Sequence, residues 1–223
     1  MGIASQIDNL RKELPPAVAL VAVSKFKPLS AVLEAYAAGQ RLFGENRPQE
    51  MAAKAIAAPA DIEWHFIGHL QTNKVKLVVP YAAMVESVDS VKLLAEINRF
   101  ASTLGKMTDC LLEVHIAREE TKQGFSREEL LALVPEFGKY PFIRFRGLMG
   151  MASNVPDMEQ VRAEFRTLKG LFDEVRALGE SESRRWVRDF DQLSMGMSHD
   201  WPVAVEEGAT LIRIGTAIFG ARS

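Results

Sequence analysis

Residues 17–28 read AVALVAVSKFKP. Seven apolar residues run unbroken from Ala17 to Val23, then a serine, two lysines around Phe26, and Pro28. The run is strand-like, and Pro28 stands at a good helix-start position. Gly39 closes the helix that follows, near its C′ position. Strand, turn and helix form one β/α unit, and the remainder of the chain repeats it. Strands are expected over 17–24, 41–44, 64–67, 84–88, 110–115, 143–149, 192–195 and 211–214. Amphipathic helices are expected over 29–38, 48–57, 73–78, 90–104, 127–137, 158–178 and 202–207, with an initial helix near 5–13.

Several boundaries carry chemical signals. Ser90 reads as an N-cap before VKLLAEINRF, with Gly105 at the far end. Ser126 and Glu129 have capping-box spacing. Asp157 can cap the long helix that follows, and Gly179 is expected to end it. Eight strand–helix repeats predict an α/β fold, a (β/α)8 TIM-type barrel with an extra N-terminal helix. A doubly wound open sheet is the other arrangement. No Pro/Ser/Gly-rich linker splits the chain, so residues 1–223 read as one domain. The polar stretch 179–189 reads as a loop.

Composition narrows the classes. Of 223 residues, 48% are apolar and 25% charged, as in an ordinary globular protein. Lys+Arg number 27 against 29 Asp+Glu, so nothing suggests a nucleic-acid binder. A single cysteine cannot form an internal disulfide and points to a reducing compartment. No signal peptide or membrane-length apolar run is present, so a cytoplasmic protein is expected.

A barrel places its active residues just past the C-terminal ends of its strands. Lys25 lies there, and its parity matches Ala19, Val21 and Val23. A lysine on an apolar face loses solvation of its charged form, which favours a nucleophilic amine; emergence into solvent is the plainer alternative. In the eighth strand Arg213 interrupts LIRI, and a buried guanidinium must find a partner. Gly215 and Thr216 follow with backbone N–H groups and a hydroxyl. In the preceding unit Gly196 allows close backbone approach, and Ser198 offers a hydroxyl. Loops after strands seven and eight often form a phosphate site, although ordinary turns would use the same residues. Asn46 reads equally as a helix cap, and Met149 could pack on a planar ring or in the core. His65 and His69 are four apart but straddle a strand end and a glycine turn, so no metal site is read from them.

A reactive lysine, a phosphate cradle and a planar shelf at one barrel mouth match pyridoxal 5′-phosphate (PLP). Lys25 would condense with its aldehyde, and Ser198, Gly215 and Thr216 would meet its phosphate. Arg213 would reach the ring nitrogen. An arginine only donates, so the ring nitrogen beside it stays unprotonated and carbanion stabilisation weakens. That suits proton shuffling on an amino acid or simple storage.

The motifs AVSKFKP, FGENRPQE, WHFIGHLQTNK, EETKQGF, RGLMGM, LSMGMSHD and LIRIGTAIFG together resemble the pyridoxal-phosphate homeostasis protein family. Its barrel is similar to the N-terminal domain of alanine racemase. The resemblance runs from about Val18 to the C-terminus. It implies Lys25 as the lysine holding the cofactor as an aldimine, Arg213 at the ring nitrogen, and Ser198, Gly215 and Thr216 at the phosphate. It further implies Asn46 and Met149 as neighbours of the cofactor, and Lys27 and Lys122 as lysines concerned with handover. The sequence departs from the family pattern at Phe26, where Thr is common, and at Pro48, where Val is common. His115 stands for Asn, and Arg118 for a small residue. The implied role is non-catalytic: holding the cofactor and possible delivery to apo-enzymes. The alternative is an amino-acid racemase with the same cofactor. Related racemases take a second base, a tyrosine, from a further domain, and the chain stops seven residues after Thr216. A monomeric carrier is therefore expected, with weak side racemase or transamination activity possible.

Overall fold

The computed structural model describes residues 2–117 and 123–220. Eight parallel strands close in sequence order: β1 (Ala19–Val23), β2 (Leu42–Glu45), β3 (Glu63–Phe66), β4 (Ala82–Val88), β5 (Thr108–Val114), β6 (Ile143–Gly150), β7 (Gln192–Ser194) and β8 (Leu211–Ile214). β1 pairs with β2 on one side and β8 on the other, so the sheet has no edge. The expected (β/α)8 barrel is what forms. Its helices are α1 (Ile3–Glu13), α2 (Leu29–Ala37), α3 (Pro48–Ala57), α4 (Val75–Val78), α5 (Val91–Leu104), α6 (Arg127–Leu133), α7 (Met158–Ser181), α8 (Trp201–Glu206) and α9 (Thr216–Phe219).

The strands are buried on both faces, which is why they read as near-continuous apolar runs. Val21, Met84, Leu111, Met149 and Leu211 fill the barrel interior, with Ala19 and Leu42 against them. The alternate residues Leu20, Ala22, Phe43, Phe66, Val85, Leu112 and Ile212 belong to the larger core between strands and helices. Into it α7 contributes Val161, Phe165, Leu168, Phe172 and Val175, a helix-period stripe.

The capping signals act as expected. Ser90 accepts from Leu93 N, and Gly105 takes the left-handed conformation. Ser126 and Glu129 form a reciprocal capping box, and Asp157 accepts from Glu159 N and Gln160 N. Other boundaries move. The helix expected over 127–137 is α-helical only to Leu133 and continues as a 3-10 segment, Val134–Lys139, because Pro135 has no N–H for the α ladder. Gly179 does not end α7, which continues to Ser181. A Cβ there would lie 2.7 Å from the Trp186 ring, so this glycine serves close packing. The stretch 179–189 is thus partly helix, with a 3-10 turn at Arg185–Arg188.

One irregularity matters for the site. β5–β6 pairing shifts register between Cys110/Leu111, so Phe145 faces Cys110 while Gly147 faces Leu111. Gly147 has φ +148°, and a Cβ would fall 1.7 Å from the Gln192 carbonyl oxygen. Phe145 therefore packs outward, stacked on Phe137, whereas Met149 faces the barrel interior.

Candidate functional site

The C-terminal ends of the strands carry a buried polar layer above the apolar interior. His65 from β3, Glu86 from β4, Ser194 from β7 and Arg213 from β8 form one chain of contacts. His65 Nδ1 lies 2.6 Å from Glu86 Oε1, and Ser194 Oγ donates to Glu86 Oε2 at 2.5 Å. Arg213 donates to Ser194 Oγ through one terminal nitrogen and to the Gly150 carbonyl, at 3.1 Å, through the other. All four side chains are buried. Burial opposes a charge on Glu86, but His65, Arg213 and Ser194 outweigh it and hold the carboxyl below its ordinary range. Burial also lowers the Arg213 pKa, with Glu86, Glu113 and Asp200 opposing the shift.

Glu113, on β5, behaves differently. Burial and the Asp89 charge push its carboxyl up to about 7, against the pull of Arg213 and His69. Its Oε2 is buried without a hydrogen-bond partner. Glu113 is the register partner of Met149, and Met149 that of Ser194, so the three lie along one level of the mouth.

The expected site residues fall around this layer. Lys25 is half-buried, two residues past the end of β1 and on the parity of interior Val21. Arg213 faces Val21 in the β1–β8 register, and its N–H donates to the Gly196 carbonyl at 3.0 Å. Gly215 packs against the end of β1: a Cβ on it would sit 3.2 Å from the Val23 carbonyl oxygen. Thr216 opens α9 and is exposed. Ser198 is half-buried in the turn before α8. That turn is shaped by Gly196, at φ +92° with no room for a Cβ beside Ala204, and by buried Asp200, which accepts from Met197 N at 2.5 Å. Asn46 follows β2, and its Oδ1 is buried without a partner. It does not cap α3 through its side chain; Arg47 occupies the N-cap position. Loop residues after β1, β7 and β8 thus meet at one mouth, as barrel geometry requires.

Lys27 is half-buried in the loop after Lys25, and Pro48 is the first residue of α3. His115 lies just past β5, its N–H donating to the Phe125 carbonyl. Arg118 and Lys122 lie outside the described residues. His65 and His69 take separate carboxylates, Glu86 and Asp89.

Sequence reading at the strand ends missed Glu86, Glu113 and Ser194. The signal for the two glutamates was the one used for Arg213: a charge inside an apolar strand, as in AAMVESV and TDCLLEV. It missed Glu45, Glu50 and Lys54 too. They surround the Lys25 loop from β2 and α3.

A family model described as alanine racemase, N-terminal domain, matches residues 2–223, somewhat more of the chain than its motifs cover. A pyridoxal phosphate homeostasis protein from Haemophilus influenzae is 38% identical over 209 residues, 92% of this chain and 86% of that one. The chain belongs to the pyridoxal phosphate homeostasis protein family. Among solved structures, the family relative PipY of Synechococcus elongatus PCC7942, solved with PLP bound, superposes with a TM-score of 0.87. It is 38% identical, and the match covers 98% of this chain and 100% of PipY. An alanine racemase from Bartonella henselae, 14% identical, shares the fold at a TM-score of 0.73; the match covers 99% of this chain and 58% of the racemase.

Proposed function

We propose that this chain binds pyridoxal 5′-phosphate covalently through Lys25 and serves intracellular cofactor homeostasis and delivery, without turnover of a dedicated substrate. The observation that carries the reading is Arg213: a buried cation, anchored through Ser194 to Glu86, at the mouth beside the Lys25 loop. The PLP bound to PipY supports it.

The residues present fit the group. Asn46 Oδ1 is a buried acceptor still lacking a partner at the mouth. Gly215 leaves no bulk between the β8 loop and the end of β1, and Gly196 lets the β7 loop pack closely on α8. Ser198, Gly215 and Thr216 would hold the phosphate, Met149 and Asn46 would flank the ring, and Arg213 would donate to the ring nitrogen. The cofactor supplies an aldehyde for an amine and an electron-withdrawing ring. Arg213 keeps its own protons, and Glu86 is committed to neutralising it, so neither group shares a proton with the ring nitrogen. That arrangement favours holding the cofactor over driving demanding chemistry on it.

The described tyrosines are also poorly placed as a second base. The Tyr36 hydroxyl donates to Asp61, Tyr81 directly precedes β4, and Tyr140 precedes β6. All three are remote in sequence from the C-terminal strand ends where the mouth lies.

Residues 1–223 are proposed to act as one domain, since a single closed barrel frames the mouth, and as a monomer. A cytoplasmic setting is proposed with it. The lone thiol, Cys110, is buried and its pKa is pushed up by that burial, so it is an inert thiol of the core. Among the described residues no helix is long and apolar enough to cross a membrane.

The test is reconstitution with PLP followed by borohydride reduction and peptide mapping. Visible absorbance, lost on reduction with the label fixed on Lys25 and absent in Lys25→Ala, is the expected result. No visible band, or a label on another lysine, overturns the assignment. Incubation with amino acids in deuterated water separates carrier from racemase: rapid α-deuteration with loss of optical activity would favour the racemase.

A further inference from the structure

The loop carrying Lys25 is gripped by a buried charged cluster that the proposed function has not used. Each peptide unit beside Lys25 is held by a side chain of the next β/α unit. On one side, the Ser24 carbonyl accepts from Lys54 Nζ at 2.8 Å, and Ser24 Oγ donates to Glu45 Oε1 at 2.6 Å. On the other, Phe26 N–H donates to Glu50 Oε1 at 2.8 Å. Lys54 Nζ closes the cluster, donating to Glu45 Oε1 at 2.6 Å and Glu50 Oε1 at 2.8 Å. Glu45 and Lys54 are buried.

Two observations say that the grip sets geometry. Phe26 has φ +64°, the left-handed region, which is strained for a residue with a side chain. Such a conformation persists only where its surroundings impose it. Here the Glu50 bond holds its N–H, and the Arg47 guanidinium lies 4.4 Å from the centre of its ring. The second observation is the cluster itself. A buried ammonium between two carboxylates is costly to desolvate, and apolar packing would support the fold as well. Apolar packing would not fix two particular peptide groups, one on each side of one lysine.

We propose that Lys54, Glu45 and Glu50 are positioning residues for Lys25. They act through the backbone at Ser24 and Phe26 to aim its amine at the cofactor aldehyde. In the step they serve, a C=N bond forms as the C=O bond breaks. Both hydrogens of the neutral amine leave with the carbonyl oxygen as water. This inference rests on the assignment of Lys25 above.

The experiment compares full-length wild type, Glu50→Ala, Lys54→Met and the conservative Lys54→Arg. Three readouts are taken: the rate at which PLP can be trapped on Lys25 by borohydride, the pH midpoint of the visible band, and binding of pyridoxine 5′-phosphate, which lacks the aldehyde. Glu50 is partly exposed, so Glu50→Ala keeps the test open if Lys54→Met fails to fold. The expected result in the folded variants is trapping slowed by about ten- to a hundredfold, as small misplacements of a reacting group produce. The pH midpoint shifts with it, pyridoxine 5′-phosphate binding stays near wild type, and Lys54→Arg recovers part of the rate. Wild-type trapping and midpoint in folded Glu50→Ala, which has no side-chain acceptor for Phe26 N–H, would overturn the proposal. Equal losses for the aldehyde and its analogue would also overturn it, by showing a merely structural role. Failure of wild type itself to label Lys25 removes the underlying assignment, and the proposal with it.

Discussion

Replacing Glu113 with glutamine should make the apo barrel more stable as pH rises above the ordinary 4.5 of the carboxyl, with the full gain at neutral to alkaline pH. Burial moves this carboxyl from its ordinary 4.5 to about 7. Each pH unit of such a difference is worth about 1.4 kcal/mol, so ionising Glu113 in the folded barrel costs about 3 kcal/mol more than in the unfolded chain. The folded pKa is raised, so the unfolded state loses its proton first. The stability from the neutral carboxyl is fully present below pH 4.5. It is lost as pH rises towards 7, and is gone above that. Glutamine has the shape of the protonated acid and cannot ionise. Wild type and Glu113→Gln should therefore match near pH 4.5, while at pH 8 the variant gains about 3 kcal/mol. For a domain of this size that is a Tm difference of roughly 6–12 °C. Urea unfolding of both cofactor-free proteins at the two pH values measures it. Taking the difference between the proteins cancels the other buried carboxyls, Glu45 and Glu86. A gap that is the same at both pH values would refute the reasoning, as would a wild type more stable than the variant at pH 8.

Further perturbations probe the frame around the mouth. Gly147→Ala would drive a Cβ into the Gln192 carbonyl and should cost more than about 3 kcal/mol in urea unfolding or abolish soluble expression; wild-type stability would show that the β6 bulge relaxes freely. Ser194→Ala removes the hydroxyl joining Arg213 to Glu86 and should cost about 1–3 kcal/mol, read from the same unfolding curves; a neutral outcome would mean that the two charges pair without it. Ser126→Ala breaks the α6 capping box and should lower stability by about 1 kcal/mol, a Tm drop of roughly 2–4 °C by calorimetry. An unchanged Tm would mean the first turn of α6 frays in the native protein.

Much of this protein follows from local sequence alone. Short apolar runs alternating with amphipathic stretches specify eight β/α units, and Ser90, Ser126, Asp157 and Gly105 mark helix ends because their side chains or backbone meet nearby groups. Parity gave Lys25 the phase of interior Val21, and a charge inside LIRI marked Arg213 as needing a partner. The identity of that partner was not legible. Ser194 and Glu86 lie 108 residues apart in sequence and meet because the barrel closes. Alternation along β6 would put Met149 on the face of Phe145, and the bulge before Gly147 reverses it. That bulge depends on how closely the neighbouring strand approaches at Gln192, which no local period encodes. Gly179 likewise looked like a helix end because its close neighbour, Trp186, becomes apparent only when the turn folds back. The sequence by itself determined the units, their order and the two charged residues most out of place. Only the tertiary structure decided which groups face one another across the mouth and which side chains hold Lys25 in position, because those contacts join strands and helices whose spacing is set by closure of the barrel.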